Sequence, residues 1–133
     1  MDQRLFAAAS AAMERAYAPY SKFQVGAAIL AGNGEIYSGC NVENAAYPVG
    51  TCAEAGAIAA MVAAGGTRIV AAVVVGESPA PSMPCVPCGG CRQKLREFAS
   101  DDTPIVVADM QQVRARFMLG ELLPHSFGPE HLK

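Results

Sequence analysis

Arg68-Ile69-Val70-Ala71-Ala72-Val73-Val74-Val75 is a largely continuous run of β-branched residues and alanine. A strand with one wet face would alternate apolar and polar residues, so this run predicts a central strand covered on both faces. Helical patterns lie on either side of it. The upstream one opens at Thr51-Cys52-Ala53-Glu54 and ends at Gly65-Gly66; the downstream one opens at Pro87-Cys88-Gly89-Gly90-Cys91-Arg92-Gln93 and runs to about Phe98. A further buried strand is expected at Ile105 to Ala108. With a strand at Glu35 to Asn41, the order becomes strand, helix, strand, helix, strand, which implies parallel central strands joined by helices on the faces of the sheet.

Towards the N-terminus, Gly32-Asn33-Gly34 supplies hairpin chemistry between strands predicted at Lys22 to Ala31 and Glu35 to Asn41, making the sheet mixed. Asp2 can cap a helix over Gln3 to Tyr17, stopped by Pro19. Asn44 to Gly50 reads as a loop, and Glu77 to Pro87, with four prolines, as irregular chain. The tail from Arg114 to Lys133 is less predictable from local pattern. Within it, Leu119-Gly120-Glu121-Leu122-Leu123-Pro124 allows a short strand or a helical turn.

The chain has 133 residues, enough for one domain spanning 1–133 that buries roughly two-thirds of its unfolded surface. Apolar residues make up 52% and charged residues 17%, which suits a compact globule with extra surface to cover, and so self-association. A net charge of -2 with scattered Lys and Arg gives no footprint for nucleic acid. The longest apolar run, Ile69 to Val75, falls far short of the roughly 20 residues of a membrane span. Leu5 to Met13 lacks the flanks of a signal peptide. Five cysteines cannot all pair, and the Cys85, Cys88, Cys91 cluster looks like metal ligation in a reducing cytoplasm rather than a disulfide framework.

Catalytic zinc is held by three protein ligands, with water in the fourth tetrahedral position, and thiolates suit it. Cys88 and Cys91 are three apart and share a helix face; Cys52 opens the other helix, where free N–H groups and the dipole favour thiolate. Glu54, two residues after Cys52, is badly placed to bind the same ion and stays free to reach the metal's water. Thr51-x-x-Glu54 also fits a capping box. Pro84-Cys85-Val86-Pro87-Cys88 offers a competing register, but Pro87 would break a helix carrying Cys85 and Cys88, whereas it can start one carrying Cys88 and Cys91. A structural zinc site with Cys85 as fourth ligand is the rival reading, because it would shut out the water.

Cysteine ligands with a non-ligating Glu form the established signature of zinc deaminases. Gly39-Cys40-Asn41-Val42-Glu43-Asn44-Ala45-Ala46-Tyr47, Cys52-Ala53-Glu54 and Pro87 to Gln93 together make the chain resemble the small homotetrameric cytidine deaminases, over nearly its whole length. The resemblance implies a three-layer α/β/α fold with a mixed five-stranded sheet, and one Zn²⁺ per chain on Cys52, Cys88 and Cys91. It implies Glu54 as the proton carrier for cytidine and deoxycytidine deamination in pyrimidine salvage. Asn41 and Glu43 are implied to hold the ribose, Phe23 to wall the pocket, the backbone around Ala53 to meet the base, and Phe127 to cross into a neighbouring subunit's site within a homotetramer.

One position departs from that pattern: Ala55 stands where many members carry Arg, so Arg92 and two helix N-termini are left to offset the charge of three thiolates on a divalent ion. Cys85 then reads as a spare thiol beside the site, Cys40 as a small buried residue, and His125 and His131 as surface residues. A deaminase for a modified base, a nucleoside antibiotic or a polynucleotide is one alternative, and a zinc-stabilised interaction module is another. Asn41-x-Glu43 favours a free nucleoside, the low basic charge argues against a polynucleotide, and loss of cytidine's ultraviolet absorbance separates an enzyme from an interaction module.

Overall fold

The computed structural model describes residues 2–77 and 83–133; residues 78–82, part of the expected irregular stretch, lie outside them. Helix α1 (Gln3–Glu14) is followed by β1 (Val25–Ala31), β2 (Ile36–Cys40), α2 (Ala53–Ala63), β3 (Ile69–Gly76), α3 (Gly89–Arg96), β4 (Pro104–Ala108), β5 (Val113–Met118) and the short α4 (Leu119–Leu122). The strands form one sheet in the order β2-β1-β3-β4-β5. β3 pairs parallel with β4, while β1–β2, β1–β3 and β4–β5 are antiparallel. The sheet is therefore mixed as expected, but with a single parallel pair at its centre.

The all-apolar run does sit mid-sheet, and its period of two sorts the core. Val73 and Val75 pack with Leu5, Ala9 and Met13 of α1 on one face, while Ala72 faces Ala57, Met61 and Leu95 of α2 and α3 on the other. The outer layers are unequal, with α1 alone on its side. Gly39 lets α2 lie close on β2: a Cβ there would stand 2.4 Å from Ala57 N and 2.6 Å from Ala53 O. Gly65, at φ +93°, ends α2 in a left-handed turn in which Gly66 N–H reaches back to Met61 O at 2.9 Å.

Two expected boundaries are corrected. α1 ends at Glu14 rather than Tyr17, because the Tyr17 backbone is taken by the chain beyond β2: its N–H donates to Asn41 O at 3.0 Å and its carbonyl accepts from Glu43 N at 2.8 Å. β1 begins at Val25 rather than Lys22; Lys22 has φ +61°, and the Asn41 side chain, not a neighbouring strand, bonds Val25 N–H. The fifth strand, β5, completes the expected five-stranded sheet and falls mostly in the stretch from Arg114 onward that local pattern leaves open; Leu119 to Leu122 forms the helical turn.

Candidate active site

Cys52 and Cys88 are the N-cap residues of α2 and α3, with extended backbones. Their sulfurs lie 4.0 Å apart. Cys91, one turn into α3 and 1% exposed, completes a cluster in which all three sulfurs lie within 4.8 Å of one another. Tetrahedral Zn–S bonds of about 2.3 Å put sulfurs about 3.8 Å apart, so the cluster fits a zinc ion with little adjustment. Burial pushes the Cys52 and Cys91 thiols up, whereas Cys88 is drawn down chiefly by the Cys91 backbone N–H. Three converging thiols give up their protons readily only to a cation placed among them.

Glu54 follows Cys52 in the first turn of α2 and is 4% exposed. The capping box open to Thr51 and Glu54 does not form: Thr51 pairs its backbone with Val42, and the cap position passes to Cys52. That leaves the Glu54 carboxyl in the interior, where burial raises its pKa above the usual carboxylate range. A carboxyl placed this way holds a proton more readily than an exposed one and can serve as a proton carrier.

Glu54, Cys52 and Cys88 share a cavity of about 290 Å³ with Phe23, Asn41, Glu43 and Ala53. Two of the clustered cysteines and four of the residues expected to contact a nucleoside, distant in sequence, thus line one cavity, whereas Phe127 does not. Asn41 is braced, its Oδ1 accepting from Val25 N and its Nδ2 donating to Phe23 O, both at 2.8 Å. This leaves one amide N–H for a ligand. Glu43 accepts from the Tyr20 and Ser21 backbone N–H groups at 3.0 and 3.1 Å and from the Ser21 hydroxyl, whose bond holds the carboxyl below its ordinary pKa. It enters the cavity ionised, with acceptor capacity left. A wider recess of about 500 Å³ lined by Tyr20 and Tyr47 opens beside it and shares Ser21, Asn41, Glu43 and Cys52, but Glu54 lines the smaller cavity.

Cys85 lies outside the three-sulfur cluster but lines the cavity, and burial pushes its thiol up to about 11. Arg92 does not point its described hydrogen bonds at the thiols: Nε donates to Pro87 O at 2.7 Å and a terminal nitrogen to Leu122 O at 2.8 Å, bracing α3 against α4. Phe127 lies away from the cavity, 55% exposed, its ring stacked on His131 with centroids 4.7 Å apart. Gln93 holds the Phe127 carbonyl at 2.8 Å, and Arg96 holds Ser126 at 2.7 Å and pairs with Glu130, so the tail is tied to α3. Sequence reading passes over Ser21, Val74 and Val86 among the cavity residues. Only tertiary pairing brings them there.

The family model for the cytidine and deoxycytidylate deaminase zinc-binding region matches residues 1–107. A cytidine deaminase from Sporosarcina psychrophila is 40% identical over 130 residues, covering 98% of this chain and 93% of the relative. One from Mycobacterium tuberculosis is 41% identical over 124 residues, covering 93% and 87%. The crystal structure of a cytidine deaminase from Burkholderia pseudomallei superposes with a TM-score of 0.86 at 42% identity, covering 96% of this chain and 99% of that one. With sequence relatives matched almost end to end and the sulfur cluster of a zinc site in place, this chain belongs to the zinc-binding cytidine and deoxycytidylate deaminase family.

Proposed function

We propose that the chain is a cytidine deaminase that hydrolyses cytidine and deoxycytidine to uridine and deoxyuridine with release of ammonia. The observation that carries this is a buried Glu54 beside three converging thiols, in a cavity whose other end presents Asn41 and Glu43. Cys52, Cys88 and Cys91 would hold zinc, which as a Lewis acid supplies activation of water near neutral pH. Glu54 takes a proton from the attacking water, passes one to the ring nitrogen next to the amine-bearing carbon, and then assists departure of the amine. Its raised pKa suits a carboxyl that must be base and acid in one cycle. Ala53, fully buried at the cavity edge, offers backbone groups to the base, and Phe23 offers a wall. Asn41 and Glu43 take the ribose hydroxyls with the hydrogen-bonding capacity left after bracing. The two helix N-termini offset the cluster's negative charge, while Arg92 is engaged by the Pro87 and Leu122 carbonyls.

The same reading makes the chain one domain of a cytoplasmic homotetramer acting in pyrimidine salvage. Support for assembly comes from Phe127, an exposed aromatic held outward by the Gln93 and Arg96 bonds, which suits a ring that closes over a base in a neighbouring subunit. No helix among the described residues is long and apolar enough to cross a membrane. The direct test is ultraviolet absorbance of cytidine on addition of zinc-loaded protein. Loss of the cytidine band with stoichiometric ammonia is expected; an unchanged spectrum at full zinc content would reject the reading.

A further inference from the structure

The cavity wall contains a residue that the chemistry above does not use. Cys85 lines it together with Val25, Val74 and Val86, opposite in character to the polar end at Ser21, Asn41 and Glu43. Behind Cys85 stands Gly76, the last residue of β3. A Cβ on Gly76 would lie 2.7 Å from Cys85 Sγ and 3.1 Å from its Cβ, and 3.6 Å from Val25 Cγ2. Val25 and Gly76 are paired across β1 and β3, so the Cys85 sulfur is packed closely against the backbone of a two-strand floor at Gly76.

Cytosine has one polar edge, carrying the carbonyl, the ring nitrogen and the amine, and one apolar edge of two C–H groups. On the function proposed above, the amine-bearing carbon faces the zinc ligands, the ring nitrogen faces Glu54, and the sugar occupies the polar end. The apolar edge is then left to the wall of Val25, Val74, Cys85 and Val86. We infer that Cys85, fixed in depth by the missing side chain of Gly76, is a specificity-determining residue that sets which substituents on the apolar edge of the pyrimidine, at the 5-position, the enzyme accepts. A small side chain packed closely against that floor is a gauge: the sulfur decides the clearance.

The inference rests on the proposed deaminase function, and its test separates the two. Inhibition of cytidine turnover by uridine and by 5-methyluridine gives a ratio of inhibition constants, read in zinc-loaded wild type, Cys85→Ala, Gly76→Ala and the double variant. One methyl group in an apolar pocket is worth roughly 10- to 200-fold. Cys85→Ala is expected to shift the ratio towards 5-methyluridine by about 10-fold, and Gly76→Ala, whose methyl would drive the sulfur into the cavity, against it by a similar factor. In the double variant the methyl occupies the space the sulfur left, and the ratio returns to within about three-fold of wild type. A purely structural role would weaken both inhibitors alike. A Cys85→Ala ratio within about three-fold of wild type, or a Gly76→Ala effect that persists in the double variant, would overturn the inference; should Gly76→Ala not fold, Cys85→Ala and Cys85→Met, expected to shift in opposite directions, decide it. Absence of cytidine turnover by zinc-loaded wild type would instead overturn the function on which it rests.

Discussion

Gly39→Ala tests how the fold holds the site together without touching a ligand. Gly39 is in β2, and the methyl group would meet backbone, not a flexible side chain: 2.4 Å to Ala57 N, 2.6 Å to Ala53 O and 2.7 Å to Gly56 C, where ordinary contact begins at 3.4 Å. The first turn of α2 must therefore lift from the sheet by about 1 Å, carrying Cys52 and Glu54 with it while Cys88 and Cys91 stay on α3. Overpacking of this kind costs about 1–3 kcal/mol of stability. A displacement of about 1 Å in a catalytic group costs on the order of 10²-fold in turnover. The assay pairs zinc affinity, by competition with a chromophoric chelator, with cytidine turnover and thermal unfolding. Weaker zinc and roughly 10²-fold slower turnover in a protein that still unfolds cooperatively are expected. Wild-type zinc affinity and turnover would refute the idea that the close approach at Gly39 sets the position of α2.

Cys88→Ser and Cys91→Ser should abolish zinc binding, whereas Cys85→Ser should keep it, as metal content per chain will show; zinc lost from Cys85→Ser and retained by Cys91→Ser would put the ligands in the wrong register. Glu54→Gln should retain zinc while losing about 10²- to 10⁴-fold in turnover, and near-normal turnover would exclude Glu54 as proton carrier. The same variant has a pH signature under chelation: because burial raises the Glu54 pKa above 4.5, the folded chain keeps a proton the unfolded chain loses there, so stability falls as pH rises from 4.5 to the folded value and then levels off, and Glu54→Gln should flatten the fall. Mixing Glu54→Ala with Phe127→Ala should restore activity if sites are shared between subunits, because some sites then carry neither lesion; no recovery after proven subunit exchange contradicts the shared site.

The parts legible in the sequence were those written in local runs. Cys88 and Cys91 declare themselves by spacing, Pro87 fixes their register, and Ile69 to Val75 needs no partner to be read as a central strand. β5 was harder, although Val113, Ala115 and Phe117 do alternate with Arg114, Arg116 and Met118. Six residues of alternation after an irregular turn give little pattern to weigh, and pairing with β4 decides the outcome. The end of α1 was overrun because Tyr17 continues the helical spacing; only its bridge to Val42, a contact across the fold, takes the backbone away. Thr51 and Glu54 matched a capping box, but the bridge from Thr51 to Val42 shifted the cap by one residue and left Glu54 facing inward. The cavity wall was illegible for the same reason. Val25, Val74 and Cys85 come from two antiparallel strands and the segment leading into α3, and no spacing in the chain relates them.

The central claim is that water is added at the amine-bearing carbon by a single zinc site in which Glu54 moves the protons. Turnover of cytidine in isotopically heavy-oxygen water tests it most directly, with mass spectrometry of the uridine and metal analysis of the same sample. One heavy oxygen on the base of each uridine, as the carbonyl that replaces the amine, one ammonia released per uridine and one zinc per chain are expected. Uridine without the heavy oxygen, or turnover that persists at full rate in Glu54→Gln, would contradict it.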